Sequence, residues 1–149
     1  MNSKVILGLG SSYGDDAVGW RVVEHLKKRL PTEARLVVIA EPTQIIEHLH
    51  PTAQVWIVDA CRGKQPVGSI VRFTWPEDRL LDHAAANTHS LSLSAVLQLA
   101  AALDKLPAAL VIFAIEIGPG PFAGDELSPP VATAANELAQ RLAAEVAAT

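Results

Sequence analysis

Apolar residues in this chain fall into two alternating patterns, short uninterrupted runs and longer stretches spaced every three or four positions. Residues 5–9 form the first run, continuous and bounded by glycine, as expected of a strand buried on both faces. Beyond a glycine-rich turn, Val18, Val22, Val23, Leu26 and Leu30 recur at helical spacing. Arg21, Glu24, Lys27 and Lys28 take the opposite face, and Pro31 closes the helix. Residues 35–40 predict a second strand, and a short helix over 44–49 follows, stopped by Pro51. Residues 54–58 predict a third strand that runs directly into Asp59. Residues 68–74 alternate apolar and polar side chains, the mark of an exposed edge strand. Residues 75–88 show no periodicity, and a strongly apolar helix is expected over 90–103, with Asn87 or Thr88 placed to cap it. Residues 109–115 give the last central strand, and the glycine- and proline-rich stretch 118–124 reads as a rigid turn. Ser128 is expected to cap a final alanine-rich helix, with Pro129 in its first position, where proline is welcome.

Apolar strands alternating with helices predict an α/β class fold, a three-layer α/β/α sandwich. Its sheet should be mostly parallel and doubly wound, with about five strands and one antiparallel edge strand. The 149 residues suit one domain over 1–149, with no internal repeat. A composition of 50% hydrophobic and 19% charged residues is that of a globular chain. The net charge of -4 speaks against a nucleic-acid partner, which would want a basic face. A single cysteine rules out an intramolecular disulfide framework and suits a reducing compartment. Met1–Lys4 passes straight into the first strand, so no signal peptide is expected. No apolar run approaches the ~20 residues that cross a bilayer. A cytoplasmic protein without membrane association is therefore expected.

The chemistry concentrates at the ends of the predicted strands. In an open α/β sheet, ligands bind beyond the carboxyl ends of the strands, where the winding direction reverses. Asp15 and Asp16 follow strand one, Asp59 ends strand three, and His89 opens the apolar helix. With strand order 2-1-3, Asp16 and Asp59 meet at the switch point and His89 approaches from the facing loop. Two carboxylates and an imidazole, with coordination positions left open, suit a borderline divalent ion such as zinc or nickel. Asp15 or Asp16 also has a plainer use, capping the first helix through its free N–H groups. Two adjacent acids allow one to cap while the other faces the cleft. Asp59 is harder to explain away, because a carboxylate directly after Val-Trp-Ile-Val is costly to bury without a partner. His89 taken alone is more often a hydrogen-bonded structural residue, and His25, His48, His50 and His83 lie in charged or irregular segments that read as surface.

Rival chemistries fit less well. A dinucleotide fingerprint needs a third glycine where Tyr13 stands, and a phosphate there would face Asp15 and Asp16. Glu41 at the end of strand two would suit a ribose but does not restore the motif. No Walker sequence and no G-x-S-x-G elbow is present. Cys61 lacks an evident activator, so a structural thiol is its expected role.

Taken together, these residues resemble the hydrogenase maturation proteases, the endopeptidases that trim nickel–iron hydrogenase large subunits. The family opens with a strand, Gly-x-Gly-Asn, an Asp-Asp or Asp-Glu pair and a glycine before the first helix. Gly8-Leu9-Gly10-Ser11, Asp15-Asp16 and Gly19 match that order. Asp59-Ala60 matches the Asp-Ala ending the family's third strand, and His89-Ser90-Leu91-Ser92-Leu93 matches its His before a leucine-rich helix. Leu127-Ser128-Pro129 before the final helix also fits. The resemblance implies that Asp16, Asp59 and His89 converge on a metal, which leaves Asp15 to support the helix start. It implies that the metal is nickel already inserted in the hydrogenase large-subunit precursor, used for recognition and not held by the free enzyme. A monomeric enzyme would then remove a short C-terminal peptide. Ser11 departs from the family's Asn. Glu41-Pro42-Thr43-Gln44 replaces a glycine-rich segment tied to substrate selection, leaving Thr43 as the residue expected to touch substrate. A non-proteolytic nickel-binding maturation factor or metallochaperone of the same fold is the alternative.

Overall fold

The computed structural model describes residues 3–30, 34–75, 88–119, 124 and 126–149, with only the backbone described over 88–92. Five strands form one sheet: β1 (Lys4–Leu9), β2 (Arg35–Ile39), β3 (Gln54–Cys61), β4 (Ile70–Trp75) and β5 (Ala109–Glu116). Among the described residues three helices accompany them, α1 (Val18–Lys27), α2 (Thr88–Ala102) and α3 (Pro129–Ala148), with 3-10 turns at Gly14–Ala17 and Pro42–His48. The spatial order is β2-β1-β3-β5-β4. All pairs are parallel except β4 with β5. The mixed sheet with one antiparallel edge is the architecture expected from the sequence.

Strand alternation sorts the core into two layers. Leu7, Leu9, Val55, Ile57 and Ile112 face one way, against Leu93 and Leu97 of α2 and Ile45 of the second 3-10 turn. Ile6, Trp56, Val58 and Phe113 face the other way, against Val22 and Leu26 of α1 and Leu138 and Leu142 of α3. Polar contacts also tie α3 to the sheet: Trp56 Nε1 donates to Glu145 at 2.7 Å, and Arg72 on β4 reaches the same carboxylate at 3.2 Å.

The structure shifts several predicted boundaries. β3 runs to Cys61, so Asp59 lies inside the strand and pairs with Ala114. β2, read as one more apolar strand, is the second edge of the sheet, with Val38 48% exposed. The segment after β2 forms a 3-10 helix starting at Pro42, where Glu41 N–H donates to Gln44 Oε1 at 3.1 Å. Pro129 does begin α3, but the Ser128 side chain makes no cap to it. Asn87, most of the irregular stretch after Trp75, and residues 120–123 of the expected rigid turn lie outside the described residues.

Glycine earns its place at the start of α1 through space. A Cβ on Gly19 would lie 2.5 Å from Leu9 O and 2.7 Å from Val58 O, and one on Gly8 would lie 2.4 Å from Gly19 O. The helix backbone therefore rests directly on the backbones of β1 and β3. In the loop itself only Gly14 uses the left-handed region, at φ 49. Gly10 is required for another reason, since its Cβ would sit 2.4 Å from Asp16 O.

Gly19→Ala tests this packing. Helix propensity alone would make alanine better by about 1 kcal/mol. The contacts are with backbone atoms that cannot rotate away, so overpacking should dominate and leave a net loss of about 2 kcal/mol. Thermal unfolding should then fall by roughly 4–8 °C; an unchanged or higher melting temperature would refute the close-approach account.

Candidate functional site

The switch point lies between β1 and β3, which are neighbours although β2 separates them in sequence. Register pairs Gly8 with Val58, bringing the end of β1 alongside the residue before Asp59. The 3-10 turn carrying Asp16 packs against β3. Asp16 is half-buried, and Ser11 Oγ donates to its Oδ2 at 2.6 Å. Ser11 N–H also donates to Asp16 O at 3.3 Å, closing the loop on itself. The serine that departs from the family pattern thus has a definite task, orienting the acid.

Asp59 is 2% exposed, and its Oδ1 accepts the Ala60 N–H at 2.8 Å. Alternation places it on the face of Val55, Ile57 and Cys61, the face covered by α2. α2 ends at Ala102 and β5 begins at Ala109 in parallel with β3, so the helix must run back across the sheet. Its first turn, with His89, therefore lies toward the edge where β3 ends. The His89 side chain is outside the described residues. Among the described residues no three His, Cys, Asp or Glu side chains gather as a metal cluster.

The Asp15 side chain does not cap the first helix. The residue preceding α1 is Ala17, and no side chain caps that helix. Asp15 is 6% exposed and turns instead to the start of α3. Its Oδ1 accepts the Ser128 N–H at 2.6 Å, and its Oδ2 accepts the Ser128 hydroxyl at 2.7 Å. This also explains why Ser128 does not cap α3. Two charge-assisted hydrogen bonds outweigh a neutral cap, and a carboxylate at a helix N-terminus complements the dipole. The adjacent acids have separate tasks: Asp15 joins the loop to α3, and Asp16 stays with the loop.

The remaining candidates fall around the same edge or away from it. Thr43 is exposed on the turn after β2. Gly10 N–H and Trp20 Nε1 both donate to Ile39 O, at 3.0 and 3.1 Å, fastening the end of β2 to the glycine loop. Cys61 is buried, and its thiol is pushed up to about 12 by burial, then by the charges of Glu116 and Asp59. That leaves it protonated near neutrality, a structural thiol as expected. His50 is exposed, but His25 and His48 are half-buried, and burial lowers the His48 pKa, so neither is purely a surface residue. His83 lies outside the described residues.

One buried carboxylate escaped the sequence reading. Glu116 is 4% exposed, and its Oε2 accepts the Gly63 N–H at 2.7 Å. The signal was available: an acid ends the apolar run 109–115 just as Asp59 follows 54–58.

Comparison with known proteins bears on this arrangement. A family model described as hydrogenase maturation protease matches residues 20–145. Solved structures share the fold over nearly the whole chain. The hydrogenase maturating endopeptidase HybD from E. coli superposes with a TM-score of 0.81 at 22% identity, covering 97% of this chain and 91% of its own. The [NiFe] hydrogenase maturation protease HycI from Thermococcus kodakarensis KOD1 gives 0.71 at 25% identity, covering 99% and 94%. HybD from Thermococcus kodakarensis gives 0.72 at 23%, covering 95% and 99%. No curated protein sequence matches significantly. The glycine loop and Asp16 precede the matched span, but the structural likeness extends across them. With most of its length matched by the family's own sequence pattern, and its fold shared with those proteases, the chain belongs to the hydrogenase maturation protease family.

Proposed function

We propose that this protein removes the C-terminal extension of a nickel-loaded nickel–iron hydrogenase large-subunit precursor. The observation that carries the reading is the buried carboxylate of Asp59, set at the switch point beside the turn that bears Asp16. Burying a carboxylate is costly, and a cation delivered by the substrate would offset that cost. Carboxylate oxygens from Asp16 and Asp59, with the His89 imidazole, form a donor set suited to nickel with positions left for the precursor's own ligands. Nickel is then part of the substrate and acts as its recognition element. Anchoring it here would hold the C-terminal segment at a fixed orientation, and orientation is worth several orders of magnitude in rate. Thr43, on the turn after β2, would touch the incoming subunit.

Asp15 supports this reading from behind. By joining the loop to Ser128, it is committed elsewhere, and Asp16 is the acid proposed to meet the metal. No helix among the described residues is long and apolar enough to cross a membrane. We place the reaction in the cytoplasm, carried out by a monomer.

Replacing a ligand tests the assignment. Asp16→Ala, Asp59→Asn and His89→Ala should each lower processing of a nickel-loaded precursor by about 100-fold or more, with native circular dichroism retained. Undiminished processing by Asp16→Ala would contradict the assignment. An intact precursor after incubation with wild-type protein that still binds it would favour the non-proteolytic nickel-binding factor. A cysteine mechanism is separated by pH. With the thiol held near 12, Cys61 should resist iodoacetamide at pH 8 in the folded protein and react readily once unfolded. Cys61→Ser should process at close to the wild-type rate, and its inactivity would reopen thiol chemistry.

A further inference from the structure

Residues 62–69 leave β3 and lead into β4 as a loop exposed from Arg62 to Val67. Both ends of that loop are held by one residue, Glu116. Its side chain takes the beginning, where Oε2 accepts the Gly63 N–H at 2.7 Å and Oε1 faces Cys61 Sγ at 3.8 Å. Its backbone takes the end, accepting the Gly68 N–H at 2.8 Å and donating to Ser69 O at 2.8 Å. The next residue continues the clamp, with Ile117 N–H donating to Cys61 O at 2.9 Å. Gly68 fits only as glycine, since φ is +94 and a Cβ would meet Pro130 O at 2.8 Å.

A plain backbone acceptor would satisfy one loop amide without burying a charge. The carboxylate does more because of where it stands. Asp59, Cys61 and Glu116 share the α2-facing side of the sheet at its carboxyl edge, by alternation along β3 and β5 and by the pairing of Cys61 with Glu116. The groups that the Glu116 side chain holds lie two and four residues after Asp59 in the chain. Movement of the β3 exit would therefore carry the Asp59 carboxylate with it.

We infer that Glu116 is a positioning residue, whose buried carboxylate clamps the 62–69 loop and so fixes Asp59 where it meets the substrate. The inference rests on the proteolytic reading above. The clamp also makes residues 62–67 a fixed rim of the site, preorganised before the precursor arrives.

The test compares Glu116→Ala and Glu116→Gln with wild type, measuring steady-state processing of nickel-loaded precursor and deuterium exchange over residues 62–69. Glutamine keeps an oxygen for the Gly63 N–H. Alanine should lower kcat on the order of 10- to 100-fold with KM changed much less, as for other displaced active-site groups. It should also speed exchange in the loop, and glutamine should restore most of both. Full activity in Glu116→Ala, or equal loss in both variants with unchanged loop exchange, would overturn the inference. Should alanine prevent folding, the glutamine variant decides alone: near-wild-type exchange and activity support the clamp, and inactivity with native exchange overturns it. Failure of wild type itself to process would be a failure of the proteolytic reading, and unchanged exchange in the alanine variant would separately dismiss the clamp.

Discussion

The structure depends on one close approach, the backbone of the first helix turn lying against the backbones of β1 and β3. Gly8 and Gly19 make it possible, because a single methyl group at either would overlap main-chain oxygen. The approach draws the end of the glycine loop down onto the carboxyl edge of the sheet. Asp16 is thereby carried to the switch point, beside the strand that bears Asp59. Without that contact the loop would stand off the sheet, and the two acids would belong to separate surfaces.

Charge is then distributed among neighbouring groups by hydrogen bonding. Asp15 gives both oxygens to Ser128 and fastens α3 to the loop, while the Asp16 carboxylate accepts the Ser11 hydroxyl. Asp59 sits in the strand with Ala60 N–H on one oxygen, and Glu116 on the adjacent strand holds the loop beyond it. Burial first, and then the charges of Glu116 and Asp59, push the Cys61 thiol pKa up. The acids at this edge divide their labour: Asp15 and Glu116 hold neighbouring segments in place, and Asp16 and Asp59 are the pair we propose to meet a cation.

Much of this was legible in the residues. The apolar runs of β1, β3 and β5 and the alternation of β4 specify a mostly parallel sheet with one antiparallel edge, because buried and half-exposed strands have different periods. The neighbouring acids Asp15 and Asp16 raised the expectation of a site, but did not say which acid takes which partner. Capping preferences are local and pointed Asp15 at α1. Its actual partner, Ser128, is 113 residues away in sequence, beyond the reach of any local rule. The glycines were legible as a turn, yet all but Gly14 are needed in that segment for close packing, which only the tertiary structure reveals. Glu116 was overlooked because a single acid at the end of a strand carries no pattern; its meaning comes from the loop it clamps.

The proposed reaction needs a cation that arrives with the substrate and is met by Asp16, Asp59 and His89. The most direct measurement is the intact mass of a hydrogenase large-subunit precursor, in nickel-loaded and nickel-free forms, after incubation with this protein. Loss of a C-terminal peptide from the nickel-loaded form alone is the predicted result. Equal cleavage of both forms, or cleavage of neither, would contradict it.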